Sequence, residues 1–332
     1  MRLLVLGGTG FLSGAIATQA LHDGDDVTCL VRGTTSVPPA GATFVRADRD
    51  DPAAYDDVAR ADWDAVVEIS SDPRRMRAAA TALAPRTRHI AYISSASVYV
   101  DDATPDQDES AAIHEPTEDG AASDPELYGA HKVACERIAL AEFGNGTTTI
   151  FRAGLIGGPG DRSDRTGYWP LRFARPADER GRVLIPDAPD LATQVIDARD
   201  LATFVLHCVR ARIAGTFNAL GDSIDLARHL AVAQRVAGFR GTTVAADPEW
   251  LTAHDVEPWM GPRSLPLWLP QPEYTGFGKR DGSAARRADL RIRPLEETLA
   301  DVLAWERTRD ITVRRAGLTG DDERQLLQEL EG

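Results

Sequence analysis

The chain has 332 residues, with 51 acidic residues against 37 lysines and arginines and a formal net charge of −14. That length predicts two domains or one large domain with a smaller lobe, and the acidic balance opposes nucleic acid and anionic membrane surfaces as main partners. Cys29, Cys135 and Cys208 are widely spaced in apolar or helical stretches and no apolar run approaches a signal core or a membrane span, so buried thiols in a cytoplasmic protein are expected.

The first strand, residues 3–6, breaks into Gly7-Gly8-Thr9-Gly10-Phe11-Leu12-Ser13-Gly14. Glycines after a strand let the backbone turn tightly while the N–H groups opening the next helix, 11–22, face an anion, so this segment reads as a phosphate site. No Lys-Ser or Lys-Thr follows the glycines, which excludes the P-loop. Strands over 27–31, 43–45, 65–69 and 89–93 then alternate with helical patterns over 53–59 and 74–83. That rhythm predicts a parallel sheet with helices on both faces, and the strands are nearly continuous apolar runs, as covered faces require. Such sheets bind ligands at their carboxyl ends.

Residues 101–125 are acidic, rich in Pro, Ser and Thr, and too long for a simple connection; a functional or mobile loop is expected. The loop ends at Tyr128, four before Lys132. On a helix these two share a face, where the ammonium favours the ionised phenol. A free phenol, with a pKa of about 10, exchanges protons poorly at neutral pH, so a neighbouring cation is what acid/base work by tyrosine needs.

After a strand over 147–152 the rhythm decays into Gly157-Gly158-Pro159-Gly160 and an arginine-rich stretch, and resumes with 193–196, a helix over 198–210 and a strand over 216–220. The expected division is therefore a dinucleotide-binding domain of residues 1–155 plus about 190–221, and a discontinuous substrate lobe of about 156–189 plus 222–332. The Pro- and Trp-dense segment 258–272 predicts a rigid, irregular surface stretch, with Trp250, Trp259 and Trp268 as packing residues. Amphipathic helices are expected over 295–308 and 321–330. Acids offset most of the arginines between Arg162 and Arg182, though Arg165, Tyr168, Trp169 and Arg172 have the make-up of a lid that meets substrate. The seven histidines show no ligand spacing, and no metal site is expected.

In the order and spacing of these motifs the chain resembles the extended short-chain dehydrogenase/reductases, over most of its length. The resemblance rests on the glycine motif, Ala47-Asp48-Arg49-Asp50, Ile93-Ser94-Ser95-Ala96-Ser97-Val98-Tyr99, Tyr128-x-x-x-Lys132, Phe151-Arg152-Ala153-Gly154 and Ile196-Asp197-Ala198-Arg199-Asp200. It implies a doubly wound Rossmann sheet and a catalytic group of Tyr128 as proton donor or acceptor, Lys132 on a nicotinamide ribose hydroxyl, and Ser95 on the reacting oxygen. It also implies cofactor contacts from Gly7, Thr9, Gly10, Phe11, Leu12, Asp48, Arg49, Ile69, Ser70 and Gly154, and substrate contacts from Ser97 and Tyr99 beside Arg165, Trp169 and Arg172.

Two positions depart from the family pattern. Ser13 stands at the third glycine, with Gly14 displaced by one. At the end of the second strand, where an NAD enzyme places an acid on the ribose 2′-hydroxyl, the chain has Arg32, whose guanidinium suits a 2′-phosphate. The expectation is an NAD(P)-dependent oxidoreductase acting on a small-molecule carbonyl or alcohol, with NADP(H) favoured over NAD(H). The alternatives are a nucleotide-sugar epimerase or dehydratase with retained NAD, and a non-catalytic dinucleotide-sensing or RNA-associated relative. The last commonly lacks the tyrosine or lysine present here. The resemblance also implies a homodimer through the helix at Tyr128 and the helix over 74–83.

Overall fold

The computed structural model describes residues 1–34, 37–310 and 313–331. The first six strands, β1 (Arg2–Leu6), β2 (Asp26–Val31), β3 (Thr43–Arg46), β4 (Ala65–Glu68), β5 (Ile90–Ser95) and β6 (Thr148–Ala153), form a parallel sheet. Three more, β7 (Leu155–Gly157), β8 (Arg182–Pro186) and β9 (Ala192–Asp197), leave it, and β10 (Gly215–Ala219) returns to its edge. The spatial order is β10-β6-β5-β4-β1-β2-β3. The chain thus runs outward from β1 to β3, then restarts at β4 on the other side of β1. That reversal opens a crevice at the carboxyl ends of β1 and β4, the place where doubly wound sheets take ligands.

Helices α1 (Phe11–His22), α2 (Pro73–Leu83), α3 (Tyr128–Phe143) and α5 (Ala198–Ala211) cover both faces, whereas α4 (Tyr168–Ala174) leaves the sheet. On one face Ile16, Ala17 and Ala20 of α1 meet Leu201, Phe204 and Cys208 of α5 over β1. On the other, Met76 and Ala80 of α2 meet Cys135, Ile138 and Ala139 of α3. All four residues Leu3 to Leu6 are buried, because both faces of their strand are covered. All three cysteines are free, buried thiols.

A second core joins α4 to α6 (Leu226–Ala237), α7 (Pro248–Ala253), α9 (Leu295–Glu306) and α10 (Gly320–Glu329) in the second half of the chain, whereas α8 (Ser283–Arg287) packs its Ala285 into the first core. Its strands β11 (Ser223–Asp225), β12 (Thr242–Ala246), β13 (Glu257–Trp259), β14 (Gly261–Pro262), β15 (Ser264–Pro266) and β16 (Ala316–Gly317) form small two- and three-stranded sheets.

Three local expectations are corrected, and the acidic loop proves to be anchored. Residues 53–59 are turns with one 3-10 turn, Val58–Arg60, instead of a helix; Asp51 Oδ1 accepts the Ala53 amide and holds the chain in a turn while Ala54, Tyr55 and Val58 are buried. The segment 258–272 is largely internal: Leu265 and Trp268 are fully buried, because its prolines fix the backbone while the apolar residues between them join the second core. The strand expected over 193–196 pairs with β7 and β11, not with the central sheet, whereas α5 and β10 after it rejoin that sheet. The acidic loop is anchored: buried Arg280 donates to Asp101 O and Gln107 Oε1 and pairs with Asp102, and Glu109 accepts the Asn218 amide.

Candidate active site

At the carboxyl end of β1 the backbone takes φ of 127° at Gly7 and 102° at Gly8. A Cβ on Gly8 would lie 2.5 Å from Cys29 Sγ, so the turn presses directly on β2. Ser13 occupies its position without disturbance, since its hydroxyl accepts the Gly10 amide at 3.1 Å and caps α1. The amides of Phe11 and Leu12 open the helix beyond it. A cavity of about 180 Å³ continues from this loop, lined by Gly7, Thr9, Arg32, Asp48, Arg49 and Arg75, with Arg32 and Asp48 exposed at its rim. A glycine turn with no room for a Cβ at Gly8, a helix start and a cationic rim fit a dinucleotide's phosphates and adenosine.

Arg49 turns away from that rim. Its Nη1 donates to Glu68 Oε1 at 2.9 Å and its Nε to Tyr55 Oη at 2.8 Å. Burial works against the Arg49 charge, but the Glu68 carboxylate outweighs it and holds the guanidinium protonated. Glu68 is fully buried at the end of β4, and its Oε1 also accepts the amides of Ile69 and Ser70 at 2.8 and 2.7 Å. Sequence reasoning missed Glu68. Its signal was a lone carboxylate closing an apolar strand.

Lys132 lies 3% exposed on α3, and its ammonium donates to the carbonyls of Ile69 (3.0 Å), Ser70 (3.3 Å) and Ile93 (2.7 Å). Its three N–H groups therefore tie the ends of β4 and β5 together, and the nitrogen lies 5.0 Å from the centre of the Tyr92 ring. Ile69, Ser70 and Lys132, expected as cofactor contacts, meet one another through the carbonyls of Ile69 and Ser70, and among the described residues no hydrogen bond joins the ammonium to the Tyr128 phenol.

Ser95 ends β5, where its Oγ accepts the Ser97 amide and donates to Ser97 Oγ, both at 3.1 Å. This caps the short turn Ala96–Val98. Tyr128 is half-buried at the first position of α3, and among the described residues no hydrogen bond engages its phenol. Gly129 explains how the two approach: a Cβ there would collide with Ser97 O, so only glycine lets the first turn of α3 abut the Ser95–Ser97 turn. A glycine in a helix costs roughly 1 kcal/mol against alanine, and that cost was the unread signal.

Three expected substrate contacts are placed elsewhere. Tyr99 is buried, its hydroxyl donating to Asn218 Oδ1 at 2.6 Å and accepting from Arg152 Nη1 at 3.1 Å. Burial raises that phenol's pKa. Trp169 is fully buried in the second core with its Nε1 on Pro266 O, and Arg172 pairs with the buried Glu323 at 3.0 Å. Ser97 lies in the turn after β5, and the Arg165 guanidinium lies over the Trp259 ring. Beneath β5, Ser94 donates to Glu136 at 2.5 Å and Arg152 pairs with the same carboxylate at 2.9 Å, a buried network that stiffens the strand carrying Ser95. An apolar pocket opens beside Ser95, lined by Ala96, Gly154, Leu220, Trp259, Tyr274 and Phe277.

The sequence pattern of the NAD dependent epimerase/dehydratase family matches residues 3–219. The fold is shared with UDP-N-acetylglucosamine 4-epimerase from Bacillus cereus, at 18% identity and a TM-score of 0.67 over 94% of this chain and 99% of that one. It is shared also with RMD from Pseudomonas aeruginosa complexed with NADPH, at 17% identity and a TM-score of 0.64 over 93% and 99% of the two chains. UDP-glucose 4-epimerase of Thermus thermophilus complexed with NAD gives 15% identity and a TM-score of 0.64 over 93% and 100%. No curated protein matches the chain.

Proposed function

The chain belongs to the NAD dependent epimerase/dehydratase family, and from that premise we propose that it interconverts a carbonyl and an alcohol on a small molecule, with NADP(H) preferred to NAD(H). One observation carries this reading: among the described residues no hydrogen bond engages the half-buried Tyr128 phenol, while Gly129 brings its helix onto the Ser95–Ser97 turn. The dinucleotide, when bound, supplies the hydride chemistry. The glycine turn and the start of α1 would hold its phosphates, Asp48 its adenine, and Arg32 a 2′-phosphate.

Tyr128 gives a proton to the nascent alkoxide in reduction and takes it back in oxidation. The Ser95 hydroxyl, on rotating away from Ser97 Oγ, steadies the same oxygen as charge develops there. Lys132 serves by holding the carbonyls of Ile69, Ser70 and Ile93, which fixes the carboxyl ends of β4 and β5 at the floor of the crevice. Two of the structural neighbours carry NAD and NADPH in their complexes, so the fold accommodates either dinucleotide and the choice falls to Arg32.

The test incubates the protein with NADPH or NADH and a panel of ketones, UDP-glucose and UDP-N-acetylglucosamine. Net nicotinamide oxidation is expected with a ketone, falling about 100-fold or more in Tyr128→Phe. Isomerisation of a UDP-sugar without net oxidation would overturn the reductase reading in favour of an epimerase with retained NAD.

A further inference from the structure

Three of the six arginines from Arg162 to Arg182 are answered by acids, Arg172 by Glu323, Arg182 by Asp178 and Arg180 by Glu331, while Arg162 and Arg175 are exposed to solvent. Arg165 is half-buried, and among the described residues no carboxylate lies within ion-pair distance of it; its Nε donates to Ser163 Oγ at 3.1 Å. The two nearest acids in sequence are engaged. Asp161 accepts the Ser163 amide and the Thr166 hydroxyl, each at 2.8 Å, and Asp164 pairs with Arg309 and Arg314 and accepts the Arg315 amide.

The Arg165 guanidinium lies 4.9 Å over the ring of Trp259, which in turn packs edge-on against Phe277 at 5.3 Å. Both rings line the apolar pocket that reaches Ala96, next to Ser95. Trp259 is held at φ 66° and Asp164 at φ 65°, left-handed conformations that a bulky side chain adopts only where its surroundings impose them. The backbone on both sides of the cation–ring contact is thus fixed. Burial lowers the guanidinium's proton affinity, and the opposing influences are the carboxylate of Asp161 and the phenol of Tyr128. A desolvated cation without a paired carboxylate is unfavourable until an anion reaches it.

We infer that Arg165 holds an oxyanion of the substrate, a carboxylate or a phosphate, close to the carbonyl that Tyr128 serves, with the rings of Trp259 and Phe277 forming the apolar wall beside it. The planar guanidinium, pre-set on the indole face, suits two parallel hydrogen bonds to such a group. This inference rests on the proposed reaction for the placement of the carbonyl, but the anion site is readable without turnover.

The probes are 4-phenylbutyrate, its neutral amide 4-phenylbutyramide, and 3-phenylpropyl phosphate, titrated into the full-length protein by calorimetry and tryptophan fluorescence. The acid or the phosphate is expected to bind about tenfold or more tighter than the amide, and whichever is tighter identifies the oxyanion. Arg165→Gln is expected to erase that preference while leaving the amide's affinity within about twofold, and Arg165→Lys to restore part of it. Comparing acid with amide on the wild-type protein needs no variant, so a misfolded substitution does not decide the matter. Equal affinity for all three probes, or binding of none, overturns the inference. A protein that discriminates acid from amide yet oxidises no NADPH keeps the anion site and loses the reductase reading; one that oxidises NADPH without discriminating loses the anion site alone.

Discussion

Replacing Lys132 with methionine tests what the buried ammonium does. Its nitrogen lies 3.0, 3.3 and 2.7 Å from the carbonyls of Ile69, Ser70 and Ile93. Methionine keeps the aliphatic packing but donates nothing, so those carbonyls lose their cation. Ser70 O retains the Tyr92 hydroxyl at 2.9 Å, which leaves the Ile69 and Ile93 oxygens short of the donor the ammonium supplied. An orphaned buried acceptor costs about 1–3 kcal/mol, and some of the loss is offset because no ammonium need then be desolvated. A net destabilisation of about 2–4 kcal/mol follows. At roughly 2 °C per kcal/mol for a chain of this size, differential scanning calorimetry should show the unfolding midpoint falling by about 4–8 °C. Tyr128→Phe, whose phenol has no partner among the described residues, is the control and should stay within about 1 °C. If Lys132→Met also unfolds within about 1 °C of wild type, the ammonium does not tie the strand ends together and the account of the crevice floor is wrong.

Arg32→Ser is expected to raise KM for NADPH by about tenfold and leave KM for NADH nearly unchanged, because an exposed charge pair at about 4 Å contributes roughly 1–4 kcal/mol; parallel shifts for both cofactors would remove Arg32 from the 2′-phosphate. Gly8→Ala places a Cβ 2.5 Å from Cys29 Sγ at a φ of 102°, so dinucleotide affinity measured by fluorescence titration should collapse, and adding Cys29→Ala should recover only part of it because the backbone strain remains. Full recovery would show that the clash alone matters. His229 is 1% exposed with neither ring nitrogen bonded, and burial lowers its pKa from 6.5 to about 4. Since the folded value lies below the unfolded one, the unfolded chain takes up the proton first, and stability present above pH 6.5 is lost as the pH falls toward 4. His229→Phe should recover about 3 kcal/mol of that acid loss in urea titrations at pH 7 and 4, and an unchanged pH slope would show that the ring is not held neutral.

What could be read in the chain was what depends on neighbours in sequence. The glycine turn follows from backbone conformations only glycine adopts freely, and the alternation of apolar strands with helices follows from covering both faces of a sheet. Most strand and helix positions of the dinucleotide-binding half were legible for that reason. The exception, residues 53–59, had helical composition, but an aspartate's local hydrogen bond held it in turns. The Ser95, Tyr128 and Lys132 positions were legible as motif positions, whereas the ammonium's destination in three carbonyls was not.

Side-chain destinations were decided by the fold. Arg172 meets Glu323, Arg49 meets Glu68 and Tyr99 meets Asn218. No spacing rule connects such partners, and each choice turns a residue inward that composition would leave facing substrate. Arg165 shows the converse, since among six nearby arginines only packing against Trp259 and the pairing of its local acids elsewhere set it apart. Sequence alone determined the strand–helix order, the glycine turn and the tyrosine–lysine spacing, because these follow from steric and hydrophobic patterns within a few residues. Tertiary structure decided which charges are neutralised and which face the crevice, because a charge's partner is whatever the folded chain brings within a few ångströms, at any separation in sequence.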